Sequence, residues 1–166
     1  MNEELINDVA HWQNLKPPLA PNELEISVYK ELIRDSKPVC LLGMTKELVP
    51  LCDFAVDLNP LNIGKPTIKS DWNEIANLKV SGVDFNSGKC EISKFHAGAI
   101  IGDGPINLTG FQFIEKALSV ADKLICRVFM VKQPGMKYAQ FFPTEFPGSH
   151  VIVNTQDDIA IVMWTR

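Results

Sequence analysis

The sequence of 166 residues lacks any apolar run that approaches the roughly 18 residues of a membrane-spanning helix. Its opening segment, MNEELINDVAHWQN, is acidic and carries no signal-peptide core. An excess of basic residues is missing too, because 16 lysines and arginines stand against 20 acidic residues and the net charge is −4. We therefore expect a cytoplasmic protein that engages neither a membrane nor the phosphates of nucleic acid.

Paired cysteines and clustered histidines are also missing. The four cysteines form no CxxC pair and lie within apolar segments, which predicts buried, reduced thiols. No spacing among the three histidines, the cysteines and the aspartates matches a zinc site, so we predict no metal centre. The cysteines are Cys40, Cys52, Cys90 and Cys126.

No repeat, low-complexity tract or charge block divides the chain, so we expect one domain over residues 1–166. Residues 1–36 are predicted to form N-terminal helices that cover the site, and residues 37–166 its core. Apolar residues at helical spacing, among them Trp12, predict a helix over 2–15. Three prolines interrupt it, and Asn22 is the predicted N-cap of a second helix that runs to about Ile33.

Short apolar runs that end at glycine or an acidic residue predict strands buried on both faces, as in a parallel sheet. A helix is predicted over Phe111–Ala121, and the runs SHVIVNT and DIAIVMW predict a terminal hairpin. The fold class is therefore α/β, with a mostly parallel sheet and an antiparallel edge. The predicted parallel strands are Pro38–Gly43, Phe54–Leu58, Pro66–Lys69, Ala97–Ile101 and Lys123–Val131.

Small and acidic residues follow four of these predicted strands. Gly43 follows the first, Asp57 lies at the end of the second, Asp71 and Trp72 follow the third, and Asp103 follows the fourth. Ligands of open parallel sheets bind beyond the carboxyl ends of the strands. Each feature alone is more often a turn former or a core residue, but together they predict one shared edge.

Recognition of a nucleoside fits this set of residues. Gly43 lets the backbone approach a ligand closely. Asp57 is placed to accept hydrogen bonds from both ribose hydroxyls, and Asp71 from an exocyclic amine, with Trp72 near the base. Asp103 is predicted to lie nearest the reacting centre.

The segments VCLLGMTKELVPL, DFAVDLNP, IKSDWNEI and AIIGDGPINL resemble, in order and spacing, the motifs of class I S-adenosylmethionine-dependent methyltransferases. The resemblance implies a Rossmann-like three-layer sandwich, S-adenosylmethionine as cofactor, S-adenosylhomocysteine as product, and methyl transfer to a small-molecule acceptor. It gives Asp103 the catalytic role. The cofactor-binding set that it implies is Trp12, Gly43, Met44, Thr45, Asp57, Leu58, Asp71, Trp72, Gly102, Asp103 and Gly104.

The chain departs from that family at the first motif, where the usual GxGxG is reduced to Gly43. A dinucleotide needs several glycines around its pyrophosphate, so NAD is not expected, whereas S-adenosylmethionine carries no phosphate. The short connections leave two alternatives open. One is a non-catalytic regulator or partner subunit that binds the cofactor, and the other is a lyase or cyclase that consumes it.

Two further expectations concern the surface. The basic residues around the fifth strand are expected to be solvated, with an anionic substrate as the alternative. The apolar terminal hairpin is expected to offer an edge for pairing with a second copy. The basic residues are Lys123, Arg127, Lys132 and Lys137.

Overall fold

The computed structural model describes residues 20–77, 96–103, 110–129, 148–156 and 159–166. These ranges contain two α-helices, two short 3-10 helices and one seven-stranded sheet. The helices are α1 (Glu23–Leu32), α2 (Gly110–Val120) and the 3-10 helices Val49–Leu51 and Trp72–Asn77. The strands are β1 (Val39–Leu42), β2 (Phe54–Asp57), β3 (Thr67–Lys69), β4 (Ala99–Gly102), β5 (Lys123–Phe129), β6 (Ser149–Gln156) and β7 (Ile159–Thr165).

The strand order across the sheet is β3-β2-β1-β4-β5-β7-β6. The five strands from β3 to β5 are parallel, and β7 runs antiparallel to both β5 and β6. The prediction of a mostly parallel sheet with an antiparallel C-terminal hairpin is confirmed. The order reverses direction at β1, which lies between β2 and β4.

Side chains of the sheet alternate between two apolar clusters, one on each face. Cys40 and Leu42 of β1 belong to the cluster that includes α2, whereas Val39 and Leu41 belong to the cluster that includes Tyr29 of α1. This alternation follows from the two-residue period of a strand. Helices therefore cover both faces, which confirms the Rossmann-like three-layer sandwich.

The connections between the first three strands are as short as the sequence predicts. A turn and the 3-10 helix Val49–Leu51 join β1 to β2, and no helix lies between β2 and β3. The predicted helix over 2–15 lies outside the described residues. Within the described ranges, no helix is long and apolar enough to cross a membrane.

Three of the four cysteines are described, and all three are buried free thiols. They are Cys40, Cys52 and Cys126, while Cys90 lies outside the described residues. Burial raises the pKa of the Cys40 thiol well above its ordinary value. A thiol in such surroundings stays protonated and packs as a small apolar group.

The predicted cap of α1 is present. The Asn22 side chain accepts a hydrogen bond from the Glu25 backbone N–H at 2.8 Å, and the Glu25 carboxylate accepts one from the Asn22 N–H at 3.2 Å. This reciprocal pair is a capping box, which satisfies two backbone donors that the first turn would otherwise leave unpaired.

Replacement of Asn22 by alanine should lower the free energy of unfolding by about 1 kcal/mol, because the Glu25 N–H loses its partner. The measurement is urea denaturation followed by far-UV circular dichroism. Asn62→Ala is the matched control, since Asn62 also accepts a backbone N–H, from Gly64 at 3.1 Å, but in an exposed loop. Equal losses in the two variants would contradict a specific role for the cap.

Candidate functional site

The ends of the first four strands lie along one edge of the sheet. Leu42, the last residue of β1, is in register with Val56 on one side and with Gly102 on the other. Asp57 at the end of β2 is in register with Lys69 at the end of β3. Because these strands are parallel, the segments that follow them leave the sheet at the same edge, beside the reversal of strand order at β1.

Gly43 is a buried point of close approach at this edge. Its φ of +89° is a conformation that residues with a side chain rarely adopt. A β-carbon at this position would lie 3.3 Å from Cζ2 of Trp72 and 3.8 Å from Oδ2 of Asp57. The structure thus brings together three residues that the sequence places 14 or more positions apart, Gly43, Asp57 and Trp72.

The Val56 carbonyl holds Gly43 and Trp72 next to each other. It accepts a hydrogen bond from the Gly43 N–H at 2.9 Å and another from the indole Nε1–H of Trp72 at 3.1 Å. The indole is half-buried and packs against the α2-side cluster, so Trp72 forms a fixed wall beside Gly43.

The Asp57 carboxylate is half-buried and held in a defined orientation. Its Oδ1 atom accepts the Asn59 backbone N–H at 2.7 Å, an Asx-type turn that fixes the side chain. Its Oδ2 atom lies on the side of Gly43. Leu58, the next residue, is 55% exposed at the same strand end. A carboxylate oxygen held in this way can accept hydrogen bonds from sugar hydroxyls.

Met44, Thr45 and Asp71 occupy neighbouring positions. Met44 packs against the α1-side cluster, and the Thr45 carbonyl accepts the Leu48 N–H at 3.0 Å to start the turn after β1. Asp71 is exposed, and its carbonyl accepts the Glu74 N–H at 3.0 Å at the start of the second 3-10 helix. Of the other predicted ligands, Trp12 and Gly104 lie outside the described residues.

Asp103 belongs to a buried ion-pair network. Its Oδ1 atom accepts the Nε–H of Arg127 at 2.6 Å, and the same guanidinium donates through Nη1 to Oε1 of Glu25 at 3.0 Å. The side chains of Arg127 and Glu25 are 5% and 0% exposed. The expectation that Arg127 is solvated is therefore wrong, because two carboxylates replace its water. We call Glu25, Arg127 and Asp103 the carboxylate–arginine network.

Helix α1 supplies two of the groups that organise this part of the site. Besides Arg127, Glu25 accepts hydrogen bonds from Thr155 at 3.1 Å and from Gln156 at 2.9 Å. One turn further along α1, the Tyr29 hydroxyl donates to the Gly102 carbonyl, next to Asp103. Sequence reasoning missed both residues. The position of Glu25 in the first turn of α1 predicts a role in capping. No local sequence pattern predicts its contact with Arg127, which is 102 residues away.

Burial controls the protonation of the groups around Asp103. Desolvation raises the pKa of the Asp103 carboxyl, and the Arg127 guanidinium acts in the opposite direction. Desolvation, aided by the Asp103 charge, raises the pKa of the Cys126 thiol to about 12, and desolvation also raises the pKa of the Tyr29 hydroxyl. Neither the thiol nor the phenol is ionised near neutral pH.

Lys123 and His96 lie at the opposite edge of the sheet. Lys123, at the start of β5, donates to the Leu32 carbonyl at 3.0 Å. His96 pairs with Asp122 at 3.3 Å before β4 begins, at the edge away from Gly43 and Asp57. Lys132 and Lys137 lie outside the described residues. Among the described residues, no group of three or more His, Cys, Asp and Glu side chains could hold a metal ion.

Comparison by sequence and by structure gives different answers. No protein-family model and no curated protein matches the sequence. The chain is similar in structure to the Burkholderia thailandensis 1,6-didemethyltoxoflavin-N1-methyltransferase, crystallised with S-adenosylhomocysteine (TM-score 0.54, 8% identity), covering 99% of this chain and 86% of that one. It is also similar to a Staphylococcus aureus protein assigned as a caffeoyl-CoA O-methyltransferase (TM-score 0.52, 13% identity, 99% and 92% covered).

The bifunctional kinase-methyltransferase WbdD is a further structural neighbour (TM-score 0.56, 10% identity). The match covers 86% of this chain and 39% of WbdD. The chain therefore spans less than half the length of that protein. At such low sequence identities, structural similarity shows the fold and does not show the function. The chain has the class I methyltransferase fold, as the resemblance in its sequence predicts.

Replacement of Gly43 by alanine should destabilise the protein by about 1–3 kcal/mol, because the backbone is strained at positive φ and the new methyl presses on the Trp72 ring. Gly64→Ala is the matched control, since Gly64 also has a positive φ (+73°) but nothing lies within 4 Å of its β-carbon position. Urea denaturation of both variants separates strain from contact. The loss should be larger at Gly43; equal losses would contradict the close approach of Trp72.

Proposed function

Because the chain has the class I methyltransferase fold, we propose that it is an S-adenosylmethionine-dependent methyltransferase acting on a small-molecule acceptor. The observation that carries the proposal is the convergence of Gly43, Asp57 and Trp72 at the carboxyl edge of the sheet, beside the reversal of strand order. This is the position at which open parallel sheets bind their ligands.

The residues present fit an adenosyl group. Gly43 has no side chain and lies between Trp72 and Asp57, and the oriented Asp57 carboxylate suits a pair of ribose hydroxyls. Asp71 is exposed at the same edge and suits an exocyclic amine, next to the fixed indole of Trp72. A ligand without phosphate needs no glycine-rich cradle, so one glycine is sufficient.

The chemistry requires little more of the protein than positioning. S-adenosylmethionine supplies an activated methyl group, and the enzyme holds the acceptor in line with it. No nucleophilic side chain is needed. If the acceptor must lose a proton, the half-buried Asp103 is the group at this edge whose raised pKa suits a base.

A small-molecule acceptor agrees with two observations. The Burkholderia thailandensis neighbour, of which this chain covers 86%, was crystallised with bound 1,6-didemethyltoxoflavin. The chain's net charge of −4 does not favour a polyanionic acceptor.

A non-catalytic protein that binds the cofactor is the second candidate. The observation that favours it is the ion pair between Arg127 and Asp103, which engages the carboxylate that the sequence assigns to catalysis. Incubation with methyl-labelled S-adenosylmethionine and a panel of amine, hydroxyl and thiol acceptors separates the two candidates. Label transferred to an acceptor supports the enzyme, and tight binding with no transfer supports the second candidate. Breakdown of the cofactor alone would point instead to a lyase or cyclase.

Ligand binding should first be tested with a thermal-shift series of S-adenosylmethionine, S-adenosylhomocysteine, NAD and ATP. A ligand that binds only the folded protein raises the melting temperature. We expect a rise with the first two ligands and none with NAD or ATP. A rise with NAD alone would contradict the proposal.

The substitution Asp57→Asn should weaken binding of S-adenosylhomocysteine by about 1–3 kcal/mol, because hydrogen bonds to a charged acceptor are lost. Isothermal titration calorimetry measures the change. Asp53→Asn is the matched control at the opposite end of β2, where Asp53 accepts the Val39 N–H at 2.7 Å and pairs with Lys37. Equal affinities of Asp57→Asn and the unmodified protein would show that this strand end does not hold the ribose.

A further inference from the structure

Within the part of the chain that the structure describes, the carboxylate–arginine network contains more negative than positive groups, and it lies next to the candidate site. One guanidinium pairs with two carboxylates, which leaves the three side chains with a net charge of −1. The network lies beside Gly43, because Leu42 and Gly102 are in register and Asp103 follows Gly102. An uncompensated charge that is largely removed from water is costly unless a counter-charge is supplied.

Asp103 is the member of the network through which a counter-charge can act. Glu25 is completely buried, and both of its carboxylate oxygens accept hydrogen bonds from protein donors. The Asp103 side chain is 17% exposed, and Arg127 is bonded to its Oδ1 atom. The excess charge therefore reaches the carboxyl edge of the sheet at Asp103.

Glu25 and Arg127 hold the Asp103 carboxylate from its buried side. The guanidinium presents Nε to one carboxylate and Nη1 to the other, a rigid fork that a lysine ammonium cannot reproduce. Tyr29 holds the Gly102 carbonyl, so the backbone that carries Asp103 is held as well. All three supports are buried and none of them reaches the open edge.

We propose that Glu25 and Arg127 are positioning residues that hold Asp103 against a positively charged group of the nucleoside ligand, either its ammonium or its sulfonium. The proposal rests on the proposed function, because it assumes that the ligand is S-adenosylmethionine or its product. The network then contributes electrostatic selection of a cation, while Asp57 holds the ribose.

The variant Glu25→Gln tests the charge of Glu25 with its hydrogen bonds retained. The glutamine Oε1 can still accept from Arg127, and its Nε2 can donate to the Thr155 hydroxyl, which can donate to the Ile159 carbonyl at 3.4 Å. The net charge of the network changes from −1 to 0. The matched control is Glu31→Gln on the same helix, where Glu31 makes an exposed ion pair with Arg34 at 3.6 Å.

Three ligands distinguish the source of the positive charge. S-adenosylmethionine has an ammonium and a sulfonium, S-adenosylhomocysteine has only the ammonium, and 5′-methylthioadenosine has neither. We expect Glu25→Gln to weaken binding of S-adenosylmethionine about tenfold, and Asp103→Asn to weaken it at least as much, with 5′-methylthioadenosine unaffected. An equal loss for S-adenosylhomocysteine identifies the ammonium, and a smaller loss identifies the sulfonium. Glu31→Gln should change none of the three affinities.

The pH profile of binding provides a readout that a purely structural role would not change. Binding of S-adenosylmethionine should weaken as the pH falls and Asp103 becomes protonated. The negative charge of Glu25 raises the pKa of Asp103, so Glu25→Gln should move this loss to lower pH, and Asp103→Asn should abolish it. Glu47, Tyr29, Cys126 and Arg127 also face this carboxyl and are unchanged in both variants.

The outcomes separate this inference from the function on which it rests. If the unmodified protein binds none of the three ligands, the proposed function fails and the inference fails with it. If the unmodified protein binds them and Glu25→Gln weakens all three equally with an unchanged pH profile, the positioning role alone is overturned. Unchanged affinities in both Glu25→Gln and Asp103→Asn would overturn it as well.

Discussion

Parallel pairing of β1 with a strand on each side is the constraint on which the candidate site depends. Because Leu42 is in register with both Val56 and Gly102, the chain leaves β1, β2 and β4 at one edge, whatever the length of the connections. The strands are buried on both faces, so a one-residue slip would move every side chain into the opposite apolar cluster. Core packing therefore fixes the relative positions of Gly43, Asp57 and Asp103. The connections can shrink to turns and single 3-10 helices without disturbing them.

The carboxylate–arginine network shows a different balance of forces at the same edge. Removing three charged groups from water is expensive, and an apolar set of similar volume commonly gives equal or greater stability. Arg127 is in the same strand as the apolar residues Ile125 and Val128, so the core could have continued through its position. Charged groups with a perturbed pKa, as Asp103 has, are concentrated at functional sites. Arg127 lies toward the carboxyl end of β5, away from Lys123 at its start, and this position agrees with the proposed role in binding.

The sequence was sufficient to predict what short-range patterns encode. Apolar runs ending at Gly43 or Asp57 predicted the strands, and Asn22 predicted the start of α1, because strand burial and helix capping depend on neighbouring residues. The sequence patterns did not predict contacts between distant segments. Arg127 was expected in solvent because its partners lie 24 and 102 residues away in the sequence. The cofactor-binding assignments themselves stay predictions, including those of Trp12 and Gly104, which lie outside the described residues.

Trp72 packs beside Gly43, the one glycine of the first predicted motif. In a dinucleotide site, several glycines let the backbone surround a pyrophosphate. Here a side chain borders the one glycine: the indole is held by the Val56 carbonyl, the same acceptor that binds the Gly43 N–H. Under the proposed function, Asp57 and Asp103 are the acceptors on either side of Gly43, one for a sugar and one for a positive charge.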